Sequence, residues 1–160
     1  MAKIQKITPC LWFDRDAEAA AAHYTSIFDN SRVVSVTRYG EGTPMPKGTA
    51  MVVIFELEGQ RFMAFNGGPH FKFTEAISMS VDCGSQAEVD RFWAKLVDGG
   101  AESRCGWLKD KFGLSWQIVP SEMARLMSTG TAAQSGRVMA AMLGMVKLDI
   151  AALQRAFDGP

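Results

Sequence analysis

The feature that most constrains this chain is a repetition. A strand, a helix and three further strands are written once before residue 67 and again before residue 121. A chain that repeats this order has two similar sheets to bury, each with one helix across it, so the predicted fold class is α+β with two βαβββ modules. The second copy is the clearer. Its last two strands, 107–112 and 114–119, meet across Gly113, which can take the positive φ of a tight reversal, and the ladder ends at Pro120. Earlier, residues 76–83 alternate, with Ile77, Met79, Val81 and Cys83 on one face and Ala76, Ser78, Ser80 and Asp82 on the other. Ser85 and Glu88 have the spacing of a capping box, and Val89, Phe92, Trp93 and Leu96 form a helical stripe that stops at Gly99-Gly100. A short strand within 101–105 completes the set.

The first copy follows the same grammar. Residues 3–13 predict a strand in which Pro9, lacking a donor, marks an edge or irregular position. Asp14 to Asp16 offer caps to a helix from Ala17 to about Phe28, with Ala17, Ala21, Tyr24, Ile27 and Phe28 at helical spacing. Val33, Val34, Val36 and Tyr39 make a second strand, residues 39–48 a mobile Gly- and Pro-rich loop, and 49–58 with 60–66 a hairpin turning at Gly59. Gly67-Gly68-Pro69-His70, with Phe71 and Phe73, is an unusually aromatic connector.

After Pro120 the sequence turns to helix formers, with Met123, Leu126, Met127, Val138, Met139, Met142, Leu143, Met145, Ile150, Leu153 and Phe157 as apolar positions. Residues 121–160 therefore predict a helical tail, packed on the sheets or on a second subunit, whose methionines fill gaps. With 160 residues and 48% hydrophobic content, the chain can fill one core. We expect a single domain over 1–160, composed of a first module (1–66), a connector and second module (67–120) and the tail (121–160).

Composition excludes some partners. Lys plus Arg and Asp plus Glu each total 17, so no net charge draws the chain to nucleic acid or to an anionic membrane, and neither partner is expected. No stretch has the length of a membrane span, and the three cysteines, Cys10, Cys83 and Cys105, form no paired-spacing motif. A cytoplasmic location is the expectation.

Several stretches carry a family resemblance: Ala22-His23-Tyr24-Thr25-Ser26-Ile27-Phe28, Phe65-Asn66-Gly67-Gly68-Pro69, Cys105-Gly106-Trp107-Leu108-Lys109-Asp110 and Phe112-Gly113-Leu114-Ser115-Trp116-Gln117-Ile118-Val119-Pro120. Through them the chain resembles the vicinal oxygen chelate superfamily, the glyoxalase and bleomycin-resistance group, and within it the PhnB-like branch often labelled demethylubiquinone methyltransferase-like. The tail stretch 142–151 resembles that branch too. The resemblance implies that the two modules curl into a half-barrel around a pocket. It also implies where metal-dependent relatives place His or Glu ligands, which here fall on Pro9, a residue within 62–64, Ala76 and Gln117. Only Gln117 has a donor side chain, and a lone amide is a poor site for a divalent ion, so no metal and no cofactor are expected. Methyl transfer finds no support in the residues, because the one Gly-x-Gly, Gly40-Glu41-Gly42, runs into Thr43-Pro44 rather than into a helix.

Strand parity nominates the pocket lining. Ser78 and Ser80 share a face, as do Ser115 and Gln117, and these groups either bind a ligand or satisfy one another and buried water. The predicted ligand contacts are Asn66, His70, Phe71, Ser78, Ser80 and Gln117. Candidate catalytic groups are Asp110, a base if it faces inward and hairpin decoration if outward; His70, an imidazole at the pocket mouth or a solvated loop residue; and Cys105, a nucleophile beside Lys109 or a small apolar residue. The leading expectation is a homodimeric, metal-free protein binding a small molecule. The alternatives are a metal-dependent glyoxalase- or dioxygenase-like enzyme with unconventional ligands and a non-catalytic interaction protein.

Overall fold

The computed structural model describes residues 5–160, so Lys3 and Ile4 of the expected first strand lie outside the described residues. The chain divides into two compact units, Met1–Lys72 and Phe73–Pro160.

The first unit contains β1 (Cys10–Phe13), α1 (Ala17–Ile27), β2 (Arg32–Arg38), β3 (Ala50–Leu57) and β4 (Gln60–Asn66), in the sheet order β1-β4-β3-β2. β1 runs parallel to β4, and the other pairs are antiparallel. Strand β1 begins only after Pro9, whose carbonyl accepts from Met63 N, so the proline lies at the irregular entry to the ladder. The β3–β4 turn is made by Glu58 and Gly59, both at positive φ (48° and 78°), the conformation that two-residue hairpins need to match strand twist. Tyr24, Ala20 and Ala21 of α1 bury against Val53 and Phe55 of β3, all fully inaccessible. The β-branched run of β2 forms the sheet edge, with a register shift between Val33 and Ser35. Val33 and Val34 remain about two-fifths exposed there (42% and 41%). The loop between β2 and β3 is closed at its base, where Tyr39 N donates to Thr49 O and Gly48 N to Tyr39 O.

The second unit repeats the plan with β5 (Ser78–Cys83), α2 (Gln86–Val97), β6 (Ala101–Glu102), β7 (Trp107–Lys109) and β8 (Ser115–Pro120), in the order β5-β8-β7-β6. Again the first strand pairs parallel with the last. Ser85 Oγ accepts from Glu88 N as predicted, but Glu88 Oε2 reaches Gly84 N, one residue outside the expected reciprocal bond. Val89, Phe92, Trp93 and Leu96 of α2 bury against the sheet face that carries Leu108, Trp116 and Ile118. Gly100 is obligatory for packing, since a Cβ there would lie 2.0 Å from Lys109 O.

Two strands of the second unit end earlier than the sequence predicts. β7 stops at Lys109 because Asp110 captures the amides of Phe112 and Leu114 with its carboxylate, converting the rest of the run into a turn closed by Gly113 at φ 88°. β6 stops at Glu102, and Cys105 lies in a turn at φ 58° rather than in a strand.

The tail forms α3 (Ser121–Thr129), α4 (Ala132–Leu143) and α5 (Ile150–Asp158). Met123, Leu126, Val138 and Leu153 make its core, and Val119, Met127, Met142, Met145 and Phe157 pack around it. The tail is bonded to the second unit by backbone as well as side chains. Cys105 N donates to Met145 O and Gly106 N to Val146 O, while the Gln86 amide donates to Leu148 O and accepts from Ile150 N. Among the described residues no helix is long and apolar enough to cross a membrane.

Candidate functional site

The face of the second sheet opposite α2 carries the polar side chains that strand parity selected. Ser115 pairs with Ser78 on one side and Lys109 on the other, and Gln117 pairs with Ser80 and Trp107. Alternation then puts Trp107, Lys109, Ser115 and Gln117 on the face away from Leu108, Trp116 and Ile118. Gln117 Nε2 donates to Ser78 Oγ at 2.9 Å, so these two residues do satisfy one another, and Ser80 is exposed. Ser115 is different. It is 1% exposed, and its Oγ has no hydrogen-bond partner among the described residues. A buried hydroxyl without a partner costs about 1–3 kcal/mol, so this one calls for a polar atom beside it, from water or from a ligand.

Ser115 lies in the wall of a cavity of about 230 Å³ together with Trp107, Lys109, Glu75, Glu102 and Ser103. Lys109 Nζ meets Glu75 Oε1 at 2.6 Å. That hydrogen bond, with the backbone amide of Glu75 and the lysine's charge behind it, holds the Glu75 carboxyl below the usual carboxylate range. Glu102 Oε1 accepts from Trp93 Nε1 at 3.1 Å.

The other nominated residues have different surroundings. Asn66 is 1% exposed and both ends of its amide are committed: Oδ1 accepts from Ala17 N at 2.9 Å and Nδ2 donates to Ala50 O at 2.9 Å. It caps α1 from a distance of 49 positions in the chain, whereas the predicted cap, Asp16, makes no side-chain cap bond. Asp110 is 3% exposed and faces inward, but its oxygens accept from Phe112 N, Leu114 N and Trp116 Nε1 (2.8, 3.1 and 2.8 Å). His70 and Phe71 belong to the first unit. His70 is exposed, and the Phe71 ring, 66% exposed, meets the Trp12 ring edge-on at 4.9 Å. Trp12 Nε1 donates to Gly68 O, and a Cβ on Gly67 would lie 2.2 Å from the Trp12 ring, so this aromatic connector is tightly packed. Cys105 is half-buried, and its turn is held by Met145 O.

The positions that the resemblance implies for a metal do not fit one. Ala64 is fully buried, Phe62 stacks on Phe55 at 5.5 Å, Ala76 has no donor side chain, and the Gln117 amide is turned to Ser78. Among the described residues no three His, Cys, Asp or Glu side chains converge.

Two of the cysteine thiols are shifted upward. Burial pushes the Cys83 thiol up to about 12, with the Glu88 and Asp82 carboxylates adding to the effect, and burial alone raises Cys10. In folded protein treated with iodoacetamide near neutral pH, Cys83 should remain unmodified over a time that fully modifies the unfolded chain. Peptide mass spectrometry reads this directly, and early carbamidomethylation of Cys83 would contradict it.

Strand parity in the sequence places Ser115 on the Gln117 face, but not among the predicted ligand contacts. Glu75 could not be found this way, because it precedes β5 without any periodic signal and becomes relevant only through Lys109.

Comparison with known proteins gives the family. The profile of the family described as 3-demethylubiquinone-9 3-methyltransferase matches residues 5–119, ending before α3, so the tail segment that resembled the same branch lies beyond the matched region. The chain is similar to the PhnB protein of Bacillus cereus, with 40% identity over 73% of this chain and 100% of that one, at a TM-score of 0.69. It is also similar in fold to a protein from Pseudomonas aeruginosa, with 20% identity, 73% and 98% coverage and a TM-score of 0.61. A glyoxylase/bleomycin resistance protein/dioxygenase domain from Frankia matches at 17% identity, 74% and 93% coverage and a TM-score of 0.47. No curated protein matches the chain at a significant level.

Proposed function

The chain belongs to the family described as 3-demethylubiquinone-9 3-methyltransferase, and we propose that it is a PhnB-like member of the vicinal oxygen chelate superfamily that binds a small molecule in the cleft beside Ser115. Family membership supplies the fold, and the reaction has to be argued from the site. The observation that carries this reading is the buried Ser115 hydroxyl, unpartnered among the described residues, in the wall of a cleft lined by Trp107 and an ion pair. Binding sites combine such apolar walls with a few placed polar groups.

Methyl transfer is not the reading we favour. Each sheet has four strands and a single parallel pair, whereas a methyltransferase of the common class needs a long, doubly wound, mostly parallel sheet to seat its cofactor. The Gly40-Glu41-Gly42 stretch lies between β2 and β3 with no helix after it.

Native mass spectrometry of protein purified without added metal tests the proposal. The expected spectrum shows a metal-free dimer carrying a small organic adduct that is lost on denaturation. The exposed edge valines of β2 support the dimer as part of the same reading. A stoichiometric metal ion would overturn the metal-free pocket, and a bare chain that takes up no member of a metabolite library would overturn binding itself.

A further inference from the structure

In the cleft beside Ser115 a lysine from a paired strand meets a glutamate from the turn before β5. Lys109 ends β7 and is paired with Ala101 on one side and Ser115 on the other, so strands hold its backbone from both directions. Glu75 precedes β5 and belongs to no strand. Their side chains are 41% and 64% exposed, and an ion pair so hydrated is held weakly because water competes for both charges. A second carboxylate could therefore replace that of Glu75 at little cost. Ser115, directly across the ladder from Lys109, presents its unpartnered hydroxyl on the same face, where opposite Cβ atoms stand about 4.5–5.5 Å apart. The remaining carboxylate of the cleft, Glu102, is engaged by Trp93 Nε1.

We propose that the cleft takes a small organic carboxylate, which displaces Glu75 from Lys109 Nζ and sets an oxygen against Ser115 Oγ, making Glu75 an internal competitor for the ligand's own site. The proposal rests on the reading that this cleft is the ligand site and adds the charge and size of what enters it. A cationic ligand would instead replace the Lys109 ammonium on Glu75, a residue that, unlike Lys109, is not paired with Ser115 in the ladder. A neutral ligand would leave the ion pair intact and could engage only Ser115. The cavity of about 230 Å³ falls below the roughly 300–1,000 Å³ of sites for drug-sized molecules, so the carboxylate is small, of the order of one ring. Trp107 supplies the apolar wall for that ring.

Three molecules of one shape and different charge separate the possibilities: benzoate, benzamide and benzamidine. Titration of each, followed by the backbone-amide and indole NMR signals, should show benzoate alone shifting Ser115 and Trp107. Glu75→Gln, which removes the competitor, should tighten benzoate by about two- to fivefold, the range expected for releasing an exposed ion pair. Lys109→Met should abolish binding, and Ser115→Ala should weaken it. Glu75 and Lys109 have exposed side chains, so unchanged signals elsewhere in the spectrum verify the fold of those two variants. Preference for benzamidine or benzamide in the cleft would overturn the charge assignment while leaving the ligand site standing. Benzoate binding no tighter in Glu75→Gln than in the unaltered chain would overturn the competition. If none of the three shifts the cleft signals, both this inference and the pocket reading fall.

Discussion

Replacing Asp110 with alanine should cost about 3–5 kcal/mol of stability, because three hydrogen-bond donors lose their acceptor at once and two of them, Leu114 N and Trp116 Nε1, are buried. The carboxylate closes the turn between β7 and β8 and fixes the Trp116 indole against the α2 side of the sheet. For a chain of this length the loss corresponds to a midpoint lower by roughly 10 °C. Asp110→Asn should fall between the two. Its carbonyl oxygen can still accept from Phe112 and Leu114, but its amide nitrogen then confronts the Trp116 N–H, donor against donor. Urea unfolding followed by tryptophan fluorescence measures both variants. A catalytic base would behave differently, since its Asn variant would retain stability while losing activity. Unchanged unfolding midpoints for both substitutions would refute the structural role.

The second large effect belongs to Asn66. Asn66→Leu matches its size but strands Ala17 N at the start of α1 and Ala50 O at the start of β3, and should destabilise the first unit by about 2–4 kcal/mol. Asn66→Asp is the sharper test. One oxygen keeps the bond to Ala17 N, while the other meets Ala50 O and can hydrogen-bond to it only when protonated. The folded state therefore favours the neutral acid and raises its pKa above the unfolded value. By linkage, the variant should be nearest to the parent's stability below the ordinary aspartate pKa and lose stability as pH rises through its raised folded value. Thermal unfolding across acidic pH reads the slope, and a stability difference independent of pH would refute the buried amide contact.

Asn66 and Asp110 show how far a functional nomination from sequence can travel. The sequence nominates Asn66 as a ligand contact and Asp110 as a base if it faces inward, and both side chains are buried in the fold. Their oxygens are nevertheless committed to amides and an indole, and only the spatial neighbours reveal it. The same parity argument that selected Ser78, Ser80, Ser115 and Gln117 as one face holds in the register of β8 against β5 and β7. It could not say which hydroxyl would be left over. Gln117 takes Ser78 across 39 positions of sequence, and Ser115 is the buried hydroxyl of the face without a partner among the described residues.

The sequence by itself determined the duplicated order of strands and helices, the hairpin turns at Gly59 and Gly113, the Ser85 cap of α2 and the helical character of the tail. Each of these is set by interactions over a few residues: alternation in a strand, a 3.6-residue stripe, a backbone conformation that glycine tolerates. The tertiary structure alone decided that Asn66 caps α1, that Asp110 shortens β7, that Glu75 lies on Lys109 and that Ser115 lines a cleft. Those outcomes depend on which donors and acceptors are brought together from distant parts of the chain and on whether water can still reach them, and neither property is written in local periodicity.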